Sequence, residues 1–215
     1  LDMINQLISS EVIISSAERI ENGLEVTSMG IDVARYGDDK TVFTILKNGN
    51  IELIESYEQT SITEIVTRTI QLIHDYNIDP NYVGIDSVGV GAGVVDNLKS
   101  AGYDVIELQG GSKPEESQYE EAFLPFNLRS QMYYELRRDM MNGQIGNLTD
   151  ETLKLELQAI QYEIYSDKKV KVISKEAIKK LLGRSPDYAD SLVYANWVKT
   201  YRGGIKWYMA ISGGL

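Results

Sequence analysis

The sequence predicts an α/β fold: a mixed five-stranded sheet flanked by helices, with an added β-hairpin near the C-terminal end. Two observations predict it. Three apolar runs follow one another between residues 26 and 58, joined by short turns, which reads as an antiparallel group of strands. A strand–helix–strand–helix–strand succession then runs from about residue 50 to 111, and that order asks for parallel pairing on the far side of the sheet.

The elements can be justified in order. Residues 1–25 are expected to form a polar helical lead-in or linker, 26–205 the folded domain, and 206–215 a tail. VTSMGIDVARYG reads as a strand entering a turn, KTVFTILKNG as a second strand and NIELIESYE as a third. Asn48-Gly49-Asn50 is a hairpin signal between the last two. SITEIVTRTIQLIHDYNI has Ile62, Ile65, Val66, Ile70 and Ile73 on one helical face, with Ser61 and Glu64 spaced as a capping box. Asp79-Pro80 breaks that run. YVGIDSVG is a short buried strand, GVGAGVVDNLKSAG a glycine-rich turn into a helix, and YDVIELQGG another strand. Residues 112–126, rich in Glu, Ser, Lys and Pro, are expected as a loop. Two helices follow, LRSQMYYELRRDMMNG ended by Gly143 and TDETLKLELQAI capped at Thr149. QYEIYSDKKVKVIS reads as a hairpin turning near Asp167-Lys168. KEAIKKLLGR is a short helix. SPDYADSLVYANWVKTYRGG is the last, with Ser185 as N-cap and Pro186 at the first helical position.

Composition narrows the chemistry. The 215 residues hold 43% hydrophobic and 25% charged side chains, ordinary values for a globular domain. Cysteine is absent, so disulfides, thiolate metal sites and cysteine nucleophiles are excluded. The lone histidine, His74, argues against a serine–histidine triad or a multi-histidine metal site. No run of 18 apolar residues occurs, so no membrane-spanning helix is expected. The net charge of -11 opposes tight nucleic-acid binding through the mean field. That charge is uneven, however. Lys168, Lys169, Lys171, Lys175, Lys179, Lys180 and Arg184 face only Glu176 in their stretch, about +6 locally on an acidic body. Such a strip can guide a polyanion; Arg129, Arg137 and Arg138 are further cationic candidates.

Three acidic positions stand out. Asp32 ends an apolar strand, Asp86 lies in another, and Asp187 and Asp190 open the last helix. A carboxylate in a hydrophobic strand is costly unless paired or liganded. Gly-Ile-Asp occurs twice, at 30–32 and 84–86, and two such strands side by side would bring two acids together. Like charges that close need a shared proton or a divalent cation. Without His or Cys donors, Mg²⁺ or Mn²⁺ is the natural guest. Asp187 and Asp190 are three apart, hence on one helical face. Gly89, Gly91 and Gly93 do not match a dinucleotide fingerprint and fit either a tight turn or a close backbone approach.

The order GIDVARYGDDKTVF, GIDSVGVGAGVVDNL, SPDYADSLVYA resembles the C-terminal nuclease domain of tailed-phage large terminase subunits, within the ribonuclease H-like superfamily. The first and last motifs also resemble RuvC-type Holliday-junction resolvases. The resemblance covers about residues 27–200. It implies a ribonuclease H-like fold and a metal-dependent endonuclease cutting double-stranded concatemeric DNA during viral genome packaging. Asp32 matches the ligand that bridges both ions and Asp86 the second. The third falls among Asp187 and Asp190. Asp38 resembles an auxiliary acid of some terminases. Two cations about 3.5–4 Å apart would clamp the scissile phosphodiester. The implied partners are double-stranded DNA, an N-terminal ATPase domain of the same protein, the portal and the small terminase subunit, and the implied place is the host cytoplasm. No GxxxxGK[ST] motif is present, so the ATPase half is expected to lie elsewhere, with residues 1–25 as remnant linker. Competing readings are a RuvC-like resolvase, an ATPase of the actin–hexokinase type and an inactive docking module of the same fold.

Overall fold

The computed structural model describes residues 5–34, 39–115, 124–164, 169–202, 205 and 206. After a short helix α1 (Ser10–Ser15), three strands follow: β1 (Thr27–Asp32), β2 (Lys40–Lys47) and β3 (Asn50–Glu58). They pair antiparallel. Asn48 and Gly49 turn the β2–β3 hairpin at φ 51° and 77°, the left-handed backbone that an Asn-Gly turn supplies. Helix α2 (Ile62–Asp75) leads to β4 (Val83–Asp86), and helix α3 (Val90–Ser100) leads to β5 (Ile106–Leu108). β4 runs parallel to β1 and β5 to β4, giving the order β3-β2-β1-β4-β5. This is the mixed five-stranded sheet that the sequence predicts. The capping box of α2 is present: Glu64 N–H donates to Ser61 Oγ at 3.3 Å, and Ser61 N–H to Glu64 Oε2 at 2.8 Å.

The second half adds β6 (Leu124–Pro125), α4 (Leu128–Met141), α5 (Glu151–Ala159), β7 (Tyr162–Ile164), β8 (Lys169–Val172), α6 (Lys175–Leu182) and α7 (Asp187–Val198), then two short paired strands, β9 (Tyr201–Arg202) and β10 (Ile205–Lys206). β7 and β8 form the added hairpin; its turn at Asp167-Lys168 lies outside the described residues. Among the described residues no helix is long and apolar enough to cross a membrane.

Helices cover both faces of the sheet, and β1 shows why. Its side chains alternate with period two. Met29 and Ile31 join Ile65, Leu72, Val94 and Leu98 under α2 and α3. Ser28, Gly30 and Asp32 fall on the opposite face, against α7. There the Ser28 hydroxyl donates to the Ala195 carbonyl at 2.8 Å, and Thr44 and Ser191 hydroxyls meet at 2.6 Å. A methyl group on Gly30 would stand 2.0 Å from the Ser191 carbonyl oxygen and 2.3 Å from Ala195 N. Helix α7 therefore lies on β1 backbone to backbone. α4 and α5 cover its outer side, with Met132, Leu136, Leu153 and Leu157 buried there.

Four local expectations differ from the structure. Residues 5–25, expected as a polar helical lead-in or linker, carry helix α1 but are not merely polar: Leu7, Ile8 and Ile13 are buried in the core, each contributing about 1.5–3 kcal/mol. Leu148 N–H and Asn147 N–H also donate to Ser16 and Glu18 carbonyls, at 2.9 Å each. Leu124-Pro125, expected in a loop, pairs parallel with β8. Asp150, not Thr149, caps α5, accepting the Leu153 N–H at 2.8 Å, because the helix begins one residue later, at Glu151. Ser185 does not cap the last helix; its hydroxyl donates instead to Asp39 Oδ1 at 2.7 Å, and the helix stops at Val198.

Candidate active site

Strand alternation aims Asp32, the last residue of β1, at the face carrying α7. β1 and β4 pair with Gly30 opposite Gly84 and Ile31 opposite Ile85. The two Gly-Ile-Asp triplets thus lie side by side in register, and Asp32 and Asp86 end neighbouring strands. α7 begins at Asp187, so Asp187 and Asp190 sit in its first turn, on the face next to β1. Lys175 opens α6. Asp32 and Asp190 are 1% exposed and Asp187 4%; Asp86 is half-buried.

Lys175 Nζ stands among these acids, 2.8 Å from Asp32 Oδ2, 3.2 Å from Asp187 Oδ1 and 3.4 Å from Asp190 Oδ2. The other oxygens are held by protein donors. Lys40 N–H donates to Asp187 Oδ2 at 2.9 Å. Asp190 Oδ1 accepts the Tyr133 hydroxyl at 2.6 Å and Arg129 Nη2 at 3.2 Å. Val88 N–H donates to Asp86 Oδ1 at 3.0 Å, and the Tyr194 hydroxyl lies 3.5 Å from its Oδ2. The site opens on a cleft of 580 Å³ whose lining includes Asp86, Asp187, Asp190, Lys175, Lys171 and Tyr194.

Four carboxylates face two cations here, and the electrostatics follow. Burial pushes Asp32 well above the usual carboxylate range; Lys175 opposes the shift, and Asp190, Asp187 and Asp86 reinforce it. Asp86 is raised by burial too, with the Val88 N–H and Lys175 opposing. Burial also pushes Asp190 upward, but Arg129, Lys175 and the Tyr133 hydroxyl outweigh it and hold this acid below its ordinary value. Lys175 is kept protonated: burial disfavours its charge, and Asp32, Asp190 and Asp187 together prevail.

Asp32 Oδ1 is buried and accepts no hydrogen bond among the described residues, and buried Asp187 Oδ1 has only the Lys175 ion pair at 3.2 Å among them. Buried carboxylate oxygens in that state are costly, and a hard divalent cation satisfies them. The donors are all oxygen, which suits Mg²⁺ or Mn²⁺. As the side chains stand, no three acids among the described residues form a ready ligand group; the Lys175 ammonium lies between them. The residues therefore fit a divalent cation in kind, and Lys175 is the counter-charge such an ion would meet.

The basic strip does not act as one surface. Lys175 is inside the acid cluster. Lys179 Nζ pairs with Asp39 Oδ1 at 2.7 Å, and Arg184 lies 3.5 Å from Glu156. Lys171 sits 5.0 Å from the Phe126 ring centre at the cleft, while Lys169 and Lys180 are exposed. Asp38 and Lys168 lie outside the described residues. Arg129 is buried beside Asp190, Arg137 lies over Tyr134, and Arg138 pairs with Glu135 and Asp139. Gly89 starts α3 at φ 74°, and a methyl on Gly91 would meet the Asp86 carbonyl oxygen at 1.7 Å. The glycine cluster thus serves close backbone approach. His74 Nε2 meets the Tyr103 hydroxyl at 2.9 Å, away from the acids. Tyr133 and Tyr194 carry no sequence signal of their own for the site; the one hint is that a buried tyrosine hydroxyl needs a partner.

Comparison with solved structures bears on the same arrangement. A point mutant of the nuclease domain of large terminase subunit gp2 from bacterial virus Sf6, with calcium, matches at TM-score 0.75 and 20% identity, over 88% of this chain and 98% of that one. A form of that domain with manganese and beta-thujaplicinol matches at TM-score 0.72 and 19% identity, over 88% and 97%. The large terminase nuclease from thermophilic phage G20c with bound magnesium matches at TM-score 0.60 and 20% identity, over 91% and 98%. This chain has the fold of a large terminase nuclease domain. Other G20c terminase structures hold cobalt or zinc. No family model and no curated protein matches the sequence itself.

Proposed function

We propose that this chain is a metal-dependent endonuclease that cuts double-stranded concatemeric DNA during viral genome packaging. One observation carries the reading: two in-register Gly-Ile-Asp strands place Asp32 and Asp86 opposite Asp187 and Asp190 of α7, in a terminase-type fold. Asp32, Asp86, Asp187 and Asp190 would hold two divalent cations, Mg²⁺ or Mn²⁺. Bound there, the ions supply neutralisation of phosphate charge and an acidified water.

The chain's own residues do the rest. Asp32, Asp187 and Asp190 are fixed before substrate arrives, since burial and their donors leave them little freedom. Such preorganisation avoids reorganisation cost during reaction. Lys175 offsets part of the acids' charge in the absence of ions. Lys171 at the cleft, with exposed Lys169 and Lys180, offers contacts to the DNA backbone. The acidic body makes binding by this domain weak and salt-sensitive, so the ATPase domain of the full protein, the portal and the small subunit would supply most of the affinity for DNA, in the host cytoplasm.

Plasmid cleavage with Mn²⁺, Mg²⁺ or EDTA, beside Asp32→Asn, tests this. Metal-dependent nicking and linearisation that disappear in the variant are expected. Preference for a four-way junction over linear duplex would point to a resolvase instead. No cleavage together with no calorimetric metal binding would overturn the nuclease reading.

A further inference from the structure

We propose that Arg129 and Tyr133 are positioning residues for Asp190, holding one of its oxygens so that only Oδ2 is offered to a cation. The inference rests on the metal reading above and concerns residues outside the acid set.

Asp187 and Asp190 are held differently. Asp187 is fixed by a backbone donor, Lys40 N–H, on Oδ2, and its Oδ1 faces the Lys175 ammonium at 3.2 Å. Asp190 Oδ1 is instead held by side chains from α4. Tyr133 is fully buried and donates a 2.6 Å hydrogen bond, the length of a charge-assisted bond to a carboxylate. Arg129 adds a second donor to the same oxygen at 3.2 Å and stacks on the Tyr133 ring at 4.7 Å. Both donors sit on Oδ1, so a cation can take Asp190 only through Oδ2, where Lys175 now lies at 3.4 Å.

Arg129 also reaches beyond Asp190. Its Nη1 donates to the Ile173 carbonyl at 2.9 Å, two residues before Lys175. The neighbouring Ser130 hydroxyl accepts the Val172 N–H at 3.0 Å. The first turns of α4 thus bind the third acid and the segment leading to the lysine into one unit. Outer partners of this kind orient a metal's ligands, and their loss costs about 10–100-fold in metal affinity.

The test is Mn²⁺ binding, read by electron paramagnetic resonance and calorimetry, with folding followed by circular dichroism and melting. Tyr133→Phe keeps the ring and removes one donor, so it keeps the test valid even where Arg129 variants fail to fold. It is expected to weaken Mn²⁺ binding about 10-fold or more. Tyr134→Phe, its neighbour on the same helix, is the control and is expected to bind as wild type. Arg129→Lys is expected to recover part of what Arg129→Gln loses. Wild-type affinity in folded Tyr133→Phe, or an equal loss in Tyr134→Phe, would overturn the proposal. If wild type binds Mn²⁺ and Asp32→Asn does not, the metal reading stands whatever the tyrosine does. If wild type binds none, that reading and the proposal fall together.

Discussion

The two ends of α7 each carry a buried charge cluster, and the two are built on opposite principles. At the C-terminal end, Lys199 Nζ lies 3.2 Å from Asp139 Oδ2, Asn196 donates to the same oxygen at 3.1 Å, and Arg138 pairs with Asp139 and Glu135. Two acids meet two cations. Lys199 and Asp139 side chains are each 3% exposed, and neither lines the cleft. At the N-terminal end four acids meet two cations beside a cleft. A balanced buried cluster serves to join α4 to α7. An unbalanced one is expensive to keep, because like charges are left facing one another, and its location at the cleft gives the imbalance a use. Charge deficit, rather than burial or acidity alone, separates the candidate site from structural ion pairs on the same helix.

This contrast can be broken at either end. Asp32→Asn is expected to lower metal-dependent cleavage by more than about 100-fold, the scale of losing one preorganised charge, while the melting temperature in EDTA does not drop. A fall in melting temperature with cleavage retained would reverse the assignment of the two clusters. Lys199→Met should do the opposite: about 1.5–3 kcal/mol less stability in urea unfolding, since it takes one charged donor from a buried carboxylate that Asn196 and Arg138 still hold, with cleavage per folded molecule unchanged.

Smaller effects sharpen the comparison. Lys175→Met removes the counter-charge from Asp32, Asp187 and Asp190. Its melting temperature in EDTA should fall, and added Mn²⁺ should raise it more than it raises wild type. Equal Mn²⁺ shifts in the two proteins would show that Lys175 does not stand in for a cation. Last comes Glu156, beneath the N-terminal end of α7, whose Oε2 accepts the Ala189 N–H at 2.9 Å. Burial pushes it up to about 8, with the Ala189 N–H and Arg184 opposing. Between its unfolded value of 4.5 and about 8 the folded chain keeps a proton that the unfolded chain has lost. Stability contributed by that proton is therefore full below pH 4.5 and declines as pH rises through about 8. Glu156→Gln should reduce the stability lost between pH 5 and pH 9 by about 1–3 kcal/mol in denaturant titrations.

The strands and the four acids were legible because each acid interrupts an apolar run or opens a helix, where its cost has no local explanation. Even the in-register pairing of the two Gly-Ile-Asp triplets was latent in their repetition. Tyr133 and Arg129 left no such mark. They sit in an ordinary helix and meet Asp190 from 57 and 61 residues away, so no local pattern encodes the contact. Lys175 was misleading for a different reason. A charge count treats the lysines from 168 to 180 alike, whereas the first turn of α6 turns one of them inward. The strand Leu124-Pro125 was hidden because two residues of pairing, inside a stretch rich in Glu and Ser, have no periodicity to read.

Gly30 has no chemistry, yet it sets how far apart the two walls of the site stand. With the Ser191 carbonyl oxygen 2.0 Å from where its methyl would be, any larger residue must lift α7 off β1. Lifting the helix carries Asp187 and Asp190 away from Asp32. Mutational tolerance at position 30 should therefore match that of the acids themselves, and a substitution scan would rank a residue without a side chain among the most functional in the chain.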